Sequence, residues 1–223
     1  MSSLRRALAL FGCAAAAKQA SMNCGEATIC GVLAISSGLG PGAYHHAAPT
    51  IHGLWPEVGS YGTSACVAPA VFTNPTEVHG CYAADGGPDS AIISFETHEW
   101  DKHGECAGVH DEADYFAQVC SLAQRPIAAM STARSGGADL AGMQAAVEAT
   151  GLEVFSANVY NSELYLSACA TPAGVWKLSN VSDFSANCGA ASSDTVDFAD
   201  IVDFGSDVHT VDFGYDISSA GAR

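Results

Sequence analysis

Basic residues are scarce in this chain: eight Lys and Arg face 24 Asp and Glu across 223 residues, a formal net charge of −16 at neutral pH. Such a balance favours solubility and excludes broad electrostatic capture of a polyanion. A nucleic acid could be held only through a few locally placed cations. Charged residues of both signs reach only 14%, so any dense charged cluster stands out. The apolar stretch Ala7 to Ala17 (ALALFGCAAAA) is too short to cross a bilayer. Two metal signatures are missing as well: there is no Cys-x-x-Cys pair and no His-Glu-x-x-His segment.

What is present suits one domain with short appendages. Hydrophobic residues make up 48%, enough for a sizeable core. Residues 1–17 read as a secretory signal, with Arg5-Arg6 as the basic start and small residues leading to a cut near Ala17. Of nine cysteines, Cys13 falls inside that signal. The remaining eight form an even set, which in a secreted chain implies a disulfide framework. Asn180-Val181-Ser182 is a glycosylation sequon. From Gly189 to Arg223 the chain reads as an acidic tail that repeats Val-Asp-Phe at 196–198, 202–204 and 211–213.

Periodicity predicts a mixture of strands and helices. Gly31 to Ile35 is an apolar run of strand length, and Thr50 to Gly53 is strand-like before Pro56 interrupts it. Residues 57–90 read as a long loop tied by Cys66 and Cys81. Asp111 caps a helix that runs to Ala129, with Tyr115, Phe116, Val119, Leu122 and Ala123 on one face. Ala138 to Ala149 is a second helix. Val154 to Tyr160 and Ser162 to Ala170 are two strands with Asn161 near the turn.

The densest charged cluster is Thr97 to Cys106 (THEWDKHGEC). Its two histidines, His98 and His103, are five residues apart, about 140° around a helix, so they cannot chelate one ion as a zincin pair does. The same geometry makes two other pairs four residues apart. Glu99 shares a face with His103, and His98 shares one with Lys102. A carboxylate beside an imidazole orients it and raises its pKa, and the cationic pair offers donors to an anion. Phosphate chemistry uses both, but it needs a second proton carrier. His52 is the candidate: it precedes Gly53, which permits close approach, and stands near the indole of Trp55.

Thr50-Ile51-His52-Gly53-Leu54-Trp55-Pro56 and His98-Glu99-Trp100-Asp101-Lys102-His103-Gly104-Glu105-Cys106 resemble the two signature segments of the ribonuclease T2 family, which are secreted acid endoribonucleases. Asp114-Tyr115-Phe116 and Glu163 to Cys169 resemble weaker landmarks of that family. The likeness covers residues 24 to about 188 and leaves the tail outside. It implies a catalytic domain over 18–188 with an α+β fold: a central, mainly antiparallel sheet flanked by helices and stapled by disulfides.

The resemblance also implies cleavage of single-stranded RNA without metal or cofactor. The 2′-OH attacks its own 3′-phosphate to give a 2′,3′-cyclic phosphate, which is slowly hydrolysed to a 3′-phosphate. DNA lacks that nucleophile and is spared. His52 and His103 are the implied acid–base pair, with His52 as base and His103 as acid the preferred order and the reverse left open. Glu99 and Lys102 polarise the phosphate, and His98 and Trp55 hold it. Glu57 stands where some members carry an Asp that reads a base, and would accept from an exocyclic amine. The implied disulfides are Cys81–Cys106, Cys169–Cys188, Cys24–Cys66 and Cys30–Cys120. The expected molecule is a monomer, secreted or held in a vacuolar–lysosomal compartment, and not bound to membranes. A competing reading keeps the scaffold but not the activity: a catalytically silent T2-like binding or effector protein. Three positions depart from the family pattern: Pro49 before the first motif, Glu105 near the end of the second, and Ile35-Ser36-Ser37-Gly38 in place of a Gln-Trp-like end to the first strand.

Overall fold

Two strands of this chain have no solvated face, and their place in the sheet explains why. In the computed structural model, which describes residues 22–62, 64–83 and 87–189, β1 (Ile29–Ser36) and β4 (Glu163–Ala170) are buried along their whole length. They pair antiparallel at the centre of a five-stranded sheet, with Cys30 opposite Cys169 and Leu33 opposite Leu166. β2 (Thr50–Pro56) flanks β1 on the outer side. β3 (Val154–Asn158) pairs with the first half of β4 and β5 (Trp176–Leu178) with its second half, all antiparallel. The expected signal and the Val-Asp-Phe repeats lie outside the described residues.

Alternation along the central strands divides the interior in two. Ile29, Leu33, Ile35, Leu164, Leu166 and Ala168 face a large core beneath the helices. Cys30, Val32, Ala34, Tyr165 and Cys169 face a smaller one with Met22, Phe184 and Cys188.

α1 (Asp89–Lys102) buries Ile92, Glu96, Glu99 and Trp100 on one stripe. α2 (Glu112–Ser135) is capped by Asp111, whose carboxylate accepts from the Asp114 N–H at 2.9 Å. It runs six residues past the expected end at Ala129 and takes Pro126 into its interior. Proline there forfeits one hydrogen bond to the Leu122 carbonyl, and burial of Pro126 and Met130 against the core offsets the loss. α3 (Leu140–Glu148) starts at the Asp139 cap, within the expected range. β5 and α4 (Phe184–Cys188) were not legible, since three and five residues are too short to carry a period.

The four disulfides are Cys24–Cys30, Cys66–Cys106, Cys81–Cys120 and Cys169–Cys188. Only the last is among the pairs implied by resemblance, and the other three implied pairs are corrected. Cys30–Cys120 fails on strand alternation: Cys30 faces the smaller core and Cys120 packs on the larger, across the sheet. Cys24 instead closes a short loop back to Cys30. Cys24–Cys66 gives way because Val67 bridges Ala107, which sets Cys66 beside Cys106. Cys81–Cys106 is replaced because the 79–82 segment lies along α2. His79 stacks on Phe116 and Tyr82 meets the same ring, and Cys120 is one turn further along that face.

Candidate active site

The cluster is built around an irregularity in β2. Its pairing with β1 passes from Ile51 opposite Ile35 to Gly53 opposite Ala34, so His52 is an extra residue, a β-bulge. The bulge resets the alternation. Ile51 and Leu54 both reach the large core, while the His52 and Trp55 rings meet edge to face with centroids 4.9 Å apart. Beyond the bulge the Tyr115 hydroxyl donates to the Leu54 carbonyl at 2.7 Å and accepts from its N–H at 3.3 Å, fastening the strand to α2. Gly53 is required by close approach, since a Cβ there would collide with the Glu99 carboxylate. Gly53→Ala is therefore expected to displace Glu99 and break the hydrogen bond it accepts from Trp55 Nε1–H, which a shift of the Trp55 indole N–H resonance would report. Circular dichroism should show the fold retained.

Glu99 comes from the buried stripe of α1 and is 1% exposed. Its Oε2 accepts from Trp55 Nε1–H at 2.8 Å, and its Oε1 lies 3.6 Å from His52 Nε2. The other nitrogen of His52, Nδ1, is 2.5 Å from Glu163 Oε1. The His52 ring thus stands between two carboxylates.

His103 is the residue at which α1 ends. Its backbone leaves the helix at φ −132° and ψ −50°, although its N–H still bonds the Glu99 carbonyl at 3.0 Å. The turn lays its ring on Trp55, with centroids 5.1 Å apart and planes 22° apart, and beside Tyr61 at 5.1 Å. Gly104 allows this turn, because a Cβ there would strike the Trp100 ring. Trp100 is fully buried, as expected of a core residue. His98 and Lys102 are exposed on the last turns of α1, near His103.

The structure therefore gathers His52, Trp55, Glu99 and His103, with His98 and Lys102 at the rim. Three details differ from the sequence reading. The Glu99 side chain serves Trp55 and His52 rather than His103, because His103 has left the helical face the two were expected to share. The Trp55 N–H is spent on Glu99, so this indole positions the carboxylate and stacks on His103 instead of donating to phosphate. Glu57 takes no part in the cluster. It is 4% exposed, bonded to the Met22 backbone N–H and closed over by Gly62. Glu163, which the sequence reading noted only within a landmark segment, belongs to the cluster. Its signal was an acidic residue opening an otherwise apolar strand. Beside His52 a cleft of about 420 Å³ opens, lined by Ser36, Tyr44, His46, Thr50 and Phe95 among others.

Residues 26–136 match the family model described as the ribonuclease T2 family. The chain belongs to the ribonuclease T2 family. A curated relative, ribonuclease Trv of Hypocrea rufa, is 34% identical over 100 residues, covering 33% of this chain and 41% of that protein. The chain thus spans less than half the length of that relative. A crystal structure of a mutant of ribonuclease MC1 aligns with a TM-score of 0.39 at 18% identity, over 63% of this chain and 88% of that one.

In this T2-family site the two halves of the second motif are shifted in opposite senses. Burial pushes the Glu99 carboxyl up to about 7. The charge of His52 and the Trp55 hydrogen bond pull the other way, and nearby Glu163 adds to the rise. Burial pulls His103 down to about 3, helped by positive charge on His52, His98 and Lys102. This reverses the expectation that a neighbouring carboxylate raises His103. Its Nδ1 is buried and has no hydrogen-bond partner among the described residues. Among the described residues no group of three or more His, Cys, Asp or Glu side chains is disposed to hold a metal ion.

Proposed function

We propose that this chain is an endoribonuclease that cleaves single-stranded RNA by transphosphorylation, without metal or cofactor. One observation carries the reading. Across a single tryptophan, an imidazole set between two carboxylates faces an imidazole that burial keeps neutral. The Glu163 carboxylate on Nδ1 favours the protonated form of His52, and a neutral His103 can accept a proton. This supports the order opposite to the one preferred from resemblance: His103 as base and His52 as acid.

In the first step His103 takes the 2′-OH proton, the oxygen bonds to the adjacent phosphorus, the P–O5′ bond breaks, and His52 protonates the leaving O5′. The products are a 2′,3′-cyclic phosphate and a free 5′-OH. In the slower second step His52 takes a proton from water and His103 returns one to O2′, leaving a 3′-phosphate. Glu99, protonated below about pH 7, offers an O–H to a non-bridging oxygen that an ionised carboxylate would repel. Lys102 and His98 place cations at the mouth, the local grip that so acidic a chain needs. DNA lacks the attacking hydroxyl and is not a substrate. Four disulfides suit a secreted or vacuolar location, and exposed Asn180 is the proposed glycan acceptor.

The test is RNA cleavage near pH 5 with EDTA present. Full activity is expected. Activity lost in EDTA and restored by zinc would overturn the reading in favour of a zinc hydrolase. No turnover by the folded protein would leave a T2-like binding protein.

A further inference from the structure

β4 begins with a backbone that is costly to adopt. Ser162, just before it, is the one non-glycine residue with positive φ among those described, at 59°, a conformation L-residues rarely take and that clusters at functional sites. It is pinned on both sides of its peptide. The Ser37 N–H donates to the Ser162 carbonyl at 2.9 Å, and the Ser37 hydroxyl donates to the Ser162 hydroxyl at 2.7 Å. The consequence is the placement of Glu163, 1% exposed at the first position of β4, on the same face as Tyr165.

Around Glu163 the hydrogen bonds are directional. Its Oε2 accepts from the Tyr165 hydroxyl at 3.1 Å and from Asn161 Nδ2 at 3.4 Å. Asn158 Nδ2 in turn donates to the Tyr165 oxygen at 3.4 Å, so the Tyr165 proton is directed at Glu163. Burial and the neighbouring carboxylate raise the Tyr165 pKa, which keeps it a donor. The remaining oxygen, Oε1, is left for His52 Nδ1.

We propose that Glu163 is a positioning residue for the proposed ribonuclease reaction: held by Tyr165 and Asn161, it fixes the proton on His52 Nδ1 and so presents Nε2–H to the leaving oxygen. The role rests on the reading above and extends it, since no motif residue supplies this contact. Among the described residues the charged and titratable groups facing His52 include Glu163 from β4, Glu99 from α1, Tyr44 from the 42–44 turn, and His103 across Trp55. Among the described residues Glu163 is the one on Nδ1.

The two donors on Oε2 make a sharp discrimination possible. In Glu163→Gln the amide oxygen must take the Oε2 position to satisfy Tyr165 and Asn161. Its NH2 group then faces His52 Nδ1 and forces that nitrogen to be an acceptor, which opposes the imidazolium. In Glu163→Ala water can fill the gap and accept from Nδ1. Glu163→Gln is therefore expected to lower kcat by at least about 10-fold, with little change in KM, and to be the worse of the two variants despite its matched shape. A purely structural role gives the reverse order, because Ala leaves a cavity and Gln does not. NMR titration of His52 in the same variants reads the contact without activity: its pKa is expected to fall by about one unit or more in Glu163→Gln. Wild-type kcat in folded Glu163→Gln with an unshifted His52 titration would overturn the proposal. A shifted His52 titration in a protein that never cleaves RNA would keep the contact and overturn the ribonuclease reading instead.

Discussion

Replacing His103 by Phe is expected to lower RNA cleavage by about 10²- to 10⁴-fold, the range for losing a general acid or base. The fold is expected to become more tolerant of acid. The ring is 5% exposed and its pKa lies near 3 against an ordinary value of 6.5. Between those values the unfolded chain binds a proton that the folded one refuses, so this residue makes stability rise with pH over that window and fall as pH drops. At about 1.36 kcal/mol per unit, the acid cost by pH 4 is on the order of 3 kcal/mol. Phe fills the same space against Trp55 and has no proton to bind. Denaturant melts from pH 3 to 7 check the stability, and initial rates on RNA check the activity. Unimpaired cleavage by the folded variant would remove His103 from the reaction.

Glu99 produces the second large effect, with the opposite pH sign. Glu99→Ala is expected to lower kcat by about 10²- to 10³-fold, the loss of one donor to a developing oxyanion. Glu99→Gln near pH 5 is expected to stay within about 10-fold of wild type. Its oxygen accepts from Trp55 Nε1–H, and its NH2 occupies the place of the carboxylic O–H. If Gln were as damaging as Ala at pH 5, Glu99 would have to act as an ionised or proton-transferring group.

Glu99 also makes stability depend on pH. The folded carboxyl holds its proton up to about pH 7, while the unfolded one releases it near 4.5. Over that interval the folded state binds more protons and its stability declines as pH rises, by about 3 kcal/mol in all. In the wild-type protein this decline and the His103 rise oppose each other between about pH 4.5 and 6.5, giving a plateau. Glu99→Gln should expose the His103 rise and His103→Phe the Glu99 decline. Parallel slopes in the two variants would show that these residues do not dominate the pH dependence.

Both motifs could be read from the sequence because their information is local: residue types at fixed spacing around a glycine and the end of a helix. The α+β layout was legible from β1, α2 and the β3–β4 hairpin, whose periods are clear. The rest depends on distant chain segments. The bulge at His52 inverts strand alternation, and only Gly53 hints at it. The partner of Glu99 changed because one residue, His103, left helical geometry. Glu163 stands 111 residues from His52 and joins it only through sheet register. Three of the four disulfide pairs differ from those implied because pairing follows contacts between distant segments: Val67 on Ala107 sets Cys66 beside Cys106, the 79–82 segment lies along α2 beside Cys120, and Cys30 lies across the sheet from Cys120 and takes Cys24. Glu57 looked available next to Pro56, but the segments carrying Met22 and Gly62 close over it.

The most direct measurement of the central claim uses an oligodeoxynucleotide containing one ribonucleotide, incubated with the protein near pH 5 in EDTA, with product ends read by mass spectrometry. The expected result is a single cut on the 3′ side of the ribose. It leaves a 2′,3′-cyclic phosphate that converts slowly to a 3′-phosphate and a partner fragment with a free 5′-OH, with the all-DNA control intact. Cleavage of the control, or fragments bearing a 5′-phosphate, would contradict transphosphorylation by the His52–His103 pair.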